Sequence, residues 1–118
     1  MNINHRHVDL SYLKDMSGGN REVMLEMIEL FNSQVPELIE KMKHQLQQKN
    51  IDELSRLAHK AKASAHIMGM EEAAAKLKSL EYSAKESRDG ENFSLIIKDL
   101  EKQFSFAIEE LKNIAATL

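Results

Sequence analysis

The 118-residue sequence is constrained first by what it lacks. It has no cysteine, which excludes disulfides, thiol nucleophiles and thiolate metal sites. With one proline, four glycines and few β-branched runs, the chain is predicted to be mostly helical. No run of about 18 apolar residues is present, so no membrane-spanning helix is expected. The first nine residues have no apolar core of the signal-peptide type, and together these absences predict a cytoplasmic protein.

Length and charge narrow the class of protein further. A chain of 118 residues allows one domain with one modest core. Charged residues make up 30% of the chain and hydrophobic residues 42%, which is ordinary for a soluble globular domain. The net charge of −3 argues against general nucleic-acid binding, because domains with that function are usually basic.

Apolar residues recur at helical spacing in several stretches. The four long stretches cover residues 21–49, 50–69, 71–87 and 92–114. Since the connections between them are short, they predict an all-α fold, an up-down four-helix bundle. A short extra N-terminal helix is predicted from Leu10 to Asp15. Residues 1–8 are predicted to be a flexible N-terminus, and residues 9–118 to form the bundle domain.

Capping residues and breakers predict where these helices begin and end. N-caps are predicted at Asp9, Asn20, Asn50 (with Glu53 as its capping-box partner) and Asn92. Gly18-Gly19 should end the first helix, Gly69 should end the third in the left-handed conformation, and Arg88-Asp89-Gly90 should form a turn. Pro36 lies inside the second helix, where its missing N–H predicts a kink or a short break near residues 32–35.

The stretch from residue 54 to residue 69 is predicted to hold one histidine out to solvent. With a turn of about 100° per residue, its apolar side chains share one stripe. That stripe consists of Leu54, Leu57, Ala58, Ala61, Ala65 and Met68. His59 lies roughly 140° from the centre of the stripe, on a flank shared with Ser55, Lys62 and His66. Ala63, one turn on, is too small to cover the imidazole.

The charges around this histidine favour an anionic ligand. No Asp or Glu occurs from Leu54 through Met70, whereas Arg56, Lys60 and Lys62 do. Lys62 stands one turn after His59, and its flexible stem can bring an ammonium to whatever the imidazole carries. An open imidazole among positive charges suits a phosphate group. The pattern by itself leaves open an exposed helical histidine without a role, and a lysine that only adds solubility.

The motif His59-x-x-Lys62-Ala63-Ser64, with Gly69 closing the helix, resembles the signature of histidine-containing phosphotransfer (HPt) domains. The wider resemblance runs from Leu10 to about Leu111. It also includes Ser17-Gly18-Gly19-Asn20, Phe31, Leu57-Ala58 and Leu80-Glu81. The chain departs from the family pattern at Ala63, where the family most often has glycine, and the extra methyl group could crowd an approaching partner.

The resemblance implies a phosphohistidine carrier that relays a phosphoryl group between response-regulator receiver aspartates in a multistep phosphorelay of two-component signalling. His59 would accept and donate the group, and Lys62 would stabilise it. The surface for partner binding would be bordered by Arg56, Lys60, Ala63, His66 and Ile67. A structural role for His66, and ordinary exposed apolar residues at Ala63 and Ile67, are the alternatives.

The implied partners are response-regulator receiver domains and a hybrid sensor kinase. The chain would be a monomer with no kinase activity, no cofactor and no metal of its own, and Mg²⁺ is expected in the partner receiver. Neither nucleic acid nor membrane is expected as a partner.

Three other classes of helical protein are alternatives to this function. A histidine kinase dimerisation domain usually has an acid directly after its histidine, whereas Lys60 follows here and no Gly-rich phosphate loop exists. A di-iron or di-manganese bundle needs Glu-x-x-His pairs, and none occurs in the chain. A bundle that binds a response regulator or another signalling partner without carrying phosphate is the alternative that stays open.

Overall fold

In the computed structural model, residues 7–86 and 92–118 are described, and they form five helices. The helices are α1 (Ser11–Ser17), α2 (Arg21–Gln47), α3 (Ile51–Ile67), α4 (Glu71–Lys85) and α5 (Phe93–Thr117). The four long helices pack as an up-down bundle, since α2 contacts α3 and α5, α3 contacts α4, and α4 contacts α5. The predicted fold class, with its short N-terminal helix, is confirmed.

The core consists of the apolar stripes that the helical spacing predicts. In α3, all six stripe residues from Leu54 to Met68 are buried. Leu77 and Leu80 of α4 are fully buried opposite them, and Phe31 of α2 meets Phe104 of α5 with 5.9 Å between ring centroids. Because the stripe of each helix faces the centre, the outer flank of α3 is left to solvent.

Pro36 does not interrupt α2, which is continuous over its 27 residues. The predicted short break is therefore wrong. Proline removes one backbone hydrogen bond and disfavours the helix by about 3 kcal/mol. The apolar stripe continues on both sides of it through Val35, Leu38 and Ile39, all buried. Packing of this stripe keeps the backbone helical despite the lost bond. A kink at Pro36 stays a prediction.

The N-caps agree only in part with the sequence patterns. Asn20 caps α2 as predicted, since its side chain accepts a hydrogen bond from the Val23 N–H at 3.1 Å. Asn50 and Asn92 occupy the N-cap positions of α3 and α5 as predicted, but neither side chain makes a capping hydrogen bond, so the capping box predicted at Asn50 is wrong. Glu53, its expected partner, instead accepts a hydrogen bond from Arg56.

The short helix α1 begins one residue later than predicted, at Ser11. The Asp9 side chain accepts hydrogen bonds from the backbone N–H of Ser11 at 3.0 Å and from its hydroxyl at 2.7 Å. The N-cap of α1 is Leu10, so the predicted N-cap at Asp9 is wrong, and Asp9 instead forms an Asx turn that leads into the helix. Gly18 and Gly19, both at positive φ, end the helix as predicted.

The predicted flexible N-terminus, residues 1–8, lies mostly outside the described residues, as do the turn at residues 88–90 and the predicted end of α4 at Ser87. His7 and Val8, which are described, differ from the prediction. The backbone N–H groups of His7 and Val8 donate to the Glu110 carboxylate at 2.8–3.0 Å. The His7 ring stacks on Phe106, and Val8 is buried. These two residues therefore belong to the packed domain.

Gly69 ends α3 in the left-handed conformation, as predicted, with φ of 70°. The Gly69 N–H donates to the His66 carbonyl and the Met70 N–H to the Ala65 carbonyl, which is the Schellman pattern. The chain entering α1 crosses directly over this glycine, where the Asp9 N–H donates to the Met68 carbonyl at 2.9 Å. A Cβ at Gly69 would lie 2.2 Å from the Asp9 carbonyl oxygen.

We predict that Gly69→Ala destabilises the domain more than Gly18→Ala does. Both glycines have positive φ, so alanine loses roughly 1–2 kcal/mol at either position. A Cβ at Gly18 meets nothing within 4 Å, whereas a Cβ at Gly69 collides with backbone. Urea unfolding of the two variants measures the difference. Equal losses would show that the N-terminal segment does not constrain the α3–α4 turn.

Candidate functional site

His59 of α3 projects from the outer flank of the bundle. Its side chain is 64% exposed, although Leu57 and Ala58 immediately before it are buried in the core. Ala63 is exposed and does not cover the ring. The helix therefore anchors its inner stripe firmly and leaves the imidazole accessible, as the periodicity predicted.

A carboxylate from the neighbouring helix contacts this imidazole. Glu81 of α4 places Oε2 3.0 Å from Nδ1 of His59, and only 7% of its side chain is exposed. The prediction of an acid-free face around His59 is therefore wrong. The absence of Asp and Glu from residues 54–70 could not reveal this carboxylate, because Glu81 belongs to α4 and contacts His59 across the α3–α4 interface.

Lys62 is bound to the same carboxylate. Its Nζ lies 2.9 Å from Glu81 Oε1, and its side chain is 20% exposed. The ammonium is on the same side of α3 as the imidazole, as expected. It is not free, however, because the Glu81 carboxylate bridges it to the ring with one oxygen for each partner.

The protonation of Glu81 follows from these contacts. Burial disfavours its charged form, but the hydrogen bonds from Lys62 and His59 outweigh burial, so the pKa of Glu81 is lowered from its ordinary value. An ionised carboxylate can only accept hydrogen bonds, so Nδ1 of His59 is the donor in this pair. The second ring nitrogen, Nε2, then carries the lone pair of the neutral ring. Among the described residues, Nε2 has no hydrogen-bond partner.

Ser55 of α3 contacts α4 beside Glu81, and this close packing brings the Glu81 carboxylate to the ring. Ser55 was expected on the exposed flank, but it is buried, and its hydroxyl donates to the Glu81 carbonyl at 3.1 Å. Both helices carry small buried side chains, Ala58 on α3 and Ala74 on α4. Small side chains at this interface allow the backbones to approach, and Ser55 satisfies its own polar group within that contact.

Two further cations border the imidazole. A cleft of about 390 Å³ beside it is lined by Asp52, Ser55, Arg56, His59, Glu81 and Lys85. Arg56 is exposed, but its guanidinium is paired with Glu53 through a hydrogen bond of 3.0 Å and a second one that is shorter. Lys85 of α4 lies 3.9 Å from Glu81 Oε2 and is 63% exposed. No sequence pattern had singled out Glu81 or Lys85 as site residues.

The remaining predicted docking residues are distributed over the same helix. Lys60, Ala63 and His66 are exposed, whereas Ile67 is half-buried and packs against the core. Nδ1 of His66 lies 3.5 Å from Glu71 at the start of α4. The exposed members surround His59 on one face, and Ile67 contributes mainly to the packing of α3.

Within residues 7–86 and 92–118 no cluster of three or more potential metal ligands from His, Cys, Asp and Glu is found. In that same part of the chain, no helix has the length and apolarity needed to cross a membrane.

Comparison with known proteins identifies the family. A family model described as Hpt domain matches residues 26–114. Among solved structures, histidine-containing phosphotransfer protein B (HptB) from Pseudomonas aeruginosa PAO1 is similar with a TM-score of 0.88, covering 98% of this chain and 99% of that chain at 20% sequence identity. At this identity the likeness shows the fold. A comparison with curated proteins gives no match. The family model spans well over half of the sequence, and the chain therefore belongs to the HPt domain family, the phosphotransfer modules of phosphorelay signalling.

Proposed function

We propose that this domain is a phosphohistidine carrier that relays a phosphoryl group between receiver aspartates in a multistep phosphorelay. His59 is the residue that accepts and donates the group. The observation that carries this proposal is the state of its ring, which is largely exposed and is hydrogen-bonded at Nδ1 to a buried carboxylate. The partners are response-regulator receivers and a hybrid sensor kinase.

The transfer needs only a well-placed nucleophile. The lone pair of Nε2 attacks the phosphorus of an aspartyl phosphate, the bond from phosphorus to the aspartyl oxygen breaks, and the aspartate leaves as a carboxylate. The ring keeps its proton on Nδ1 and becomes cationic. Reversal of the same steps at a second receiver returns the phosphoryl group to an aspartate and the ring to its neutral state.

Glu81 supports both sides of this exchange. Its hydrogen bond holds the ring in the tautomer that leaves Nε2 unprotonated, and its negative charge stabilises the cationic ring that forms on attack. Because Glu81 is almost fully buried, a partner that docks on the exposed face would not need to displace it. Glu81 is therefore a positioning residue for His59 in this proposal.

Lys62 acts beside Glu81. Its charge offsets that of the buried carboxylate, and in this proposal it also lowers the electrostatic cost of bringing a phosphoryl group to the neighbouring ring. Phosphoryl transfer depends mainly on positioning and charge neutralisation, so the carrier needs no kinase activity and no cofactor of its own. Mg²⁺ and the acidic pocket are expected in the receiver.

The docking surface in this proposal is the exposed face around His59. Arg56, Lys60, Ala63 and His66 border it, with Ile67 at its edge where α3 meets the core. Exposed cations there complement an acidic receiver pocket and should raise the rate of encounter. A monomeric state and a cytoplasmic location stay predictions from the sequence.

We predict that His59→Gln abolishes the transfer of label from phosphorylated receivers of the same organism. Glutamine keeps a polar side chain of similar length but has no nitrogen lone pair that can take the phosphoryl group. The measurement is acid-labile radioactive label on this chain. His44→Gln, which changes an exposed histidine of α2, should label normally. Labelling of the His59→Gln protein, or receiver binding without labelling of the wild type, would favour the docking-only alternative.

We predict that Lys62→Ala slows transfer and also lowers stability by about 1–3 kcal/mol. The reason for the lower stability is that Glu81, buried between α3 and α4, loses the cation that offsets its charge. Urea unfolding of Lys62→Ala, Glu81→Gln and the double variant measures the coupling. The double variant should lose less than the sum of the single losses. Strict additivity would show that the ion pair contributes nothing.

We predict that Glu81→Gln is destabilised at neutral pH and that its deficit shrinks in acid. Since the pKa of Glu81 is lowered by folding, its contribution is fully present above the ordinary value of 4.5. It is lost as pH falls from there through the folded pKa. Unfolding free energies at pH 7, 5, 4 and 3 should therefore converge between wild type and variant. A constant gap across this range would contradict the assignment.

A further inference from the structure

The cations around His59 differ in how firmly they are held. Lys62 Nζ is at hydrogen-bond distance from Glu81, at 2.9 Å, and Arg56 is paired with Glu53. Lys60 lies about 100° around α3 from His59, which turns it away from the cleft. Lys85 lines the cleft, but within residues 7–86 and 92–118 it makes no hydrogen bond, and it meets Glu81 only as a longer ion pair.

The position of Lys85 is set by its place on α4. It follows Glu81 by four residues, so both side chains lie on the same face of the helix. Its Nζ is 3.9 Å from Glu81 Oε2, the oxygen that accepts from His59 Nδ1 at 3.0 Å. A distance of 3.9 Å is beyond an N–H···O hydrogen bond. The ammonium is thus close to the ring, and its side chain is 63% exposed against 20% for Lys62.

Phosphorylation of His59 increases the negative charge that the nearby cations must neutralise. Glu81 carries one negative charge, and Lys62 offsets it. A phosphoryl group on Nε2 adds about 1.5 to 2 negative charges near neutral pH. If Lys62 left Glu81 to meet it, a carboxylate with 7% exposure would lose its cation, and an uncompensated buried charge is strongly destabilising. Lys85 can move without that loss.

We propose that Lys85 is a second phosphoryl-binding residue of the site. When Nε2 of His59 is phosphorylated, the Lys85 ammonium moves along the cleft to the phosphoryl oxygens, and Lys62 keeps its hydrogen bond to Glu81. The four-carbon stem of lysine and the high exposure of Lys85 permit this movement. The inference rests on the proposed phosphorylation of His59 and assigns to α4 a direct part in it.

The test uses the isolated domain, phosphorylated with phosphoramidate so that no protein partner is needed. Phosphorus NMR follows the second ionisation of the phosphohistidine as pH is varied. An ammonium at the phosphoryl oxygens favours their dianionic form, so Lys85→Gln should raise the pKa of the phosphoryl group by roughly 0.5 to 1. Lys85→Arg, which keeps the charge, should restore the wild-type value.

The matched control is Lys98→Gln, which makes the same change in net charge. Lys98 is exposed on α5 and borders the groove between α4 and α5, together with Lys76 and Leu95. Its replacement should leave the phosphoryl pKa at the wild-type value. Transfer from a phosphorylated receiver should slow roughly three- to tenfold in Lys85→Gln, as expected for one exposed charge-assisted hydrogen bond.

Three results would overturn the proposal. A phosphoryl pKa that is unchanged in Lys85→Gln would exclude Lys85 as a ligand. An equal shift of the phosphoryl pKa in Lys98→Gln would show that the shift reflects the net charge of the domain and not a contact with Lys85. No phosphohistidine on the wild-type domain, either from phosphoramidate or from receivers, would remove the proposed function and this inference together. A domain that is phosphorylated but insensitive to Lys85 would remove only the inference.

Discussion

The site depends on the Glu81 carboxylate, which is buried between α3 and α4. One oxygen accepts from the imidazole of His59 and the other from the ammonium of Lys62. Burying a carboxylate is unfavourable unless its charge and both oxygens are matched, and here both conditions are met by residues of a single neighbouring helix. The same contact joins the two helices and fixes the orientation of the ring, so stability and chemistry depend on the same few atoms.

This arrangement requires close packing of α3 on α4. Buried small residues occur on both helices, Ala58 and Ala61 on α3 and Ala74 on α4. Ser55 adds a hydrogen bond to the Glu81 carbonyl, so the two helices approach closely beside the site. The position of Glu81 against His59 therefore depends on the packing of the two helices as well as on its own polar contacts.

Much of the fold could be predicted from local sequence patterns, because helical periodicity, a glycine at a helix end and an N-cap asparagine act within one segment. Such reasoning identified the stripe of α3, the left-handed Gly69 and the cap at Asn20. It failed where a local preference is opposed by other contacts. Pro36 predicted a kink or a short break, and packing keeps α2 unbroken. Asn50 predicted a capping box, but its glutamate pairs with Arg56 instead.

The histidine and the lysine of the site were within reach of sequence reasoning because both lie on one helix at fixed spacing. Glu81 was not found, since its role depends on which face α4 turns toward α3. A signal did exist. Leu77, Leu80 and Ala84 are core positions of α4, and Glu81 falls at the helical spacing of that stripe. A charged residue at a core position needs partners for its charge and its hydrogen bonds, and His59 and Lys62 provide them.

The ends of α3 explain why the exposed ring can be held so steadily. At the C-terminal end, the Asp9 backbone closes over Gly69 and bonds to the Met68 carbonyl. Just before it in sequence, His7 and Val8 are tied to Glu110 of α5. The N-terminal segment thus connects the end of the histidine helix to the last helix of the bundle. With the backbone restrained there and Glu81 held from α4, exposed side chains such as Lys85 are less constrained than the ring they surround.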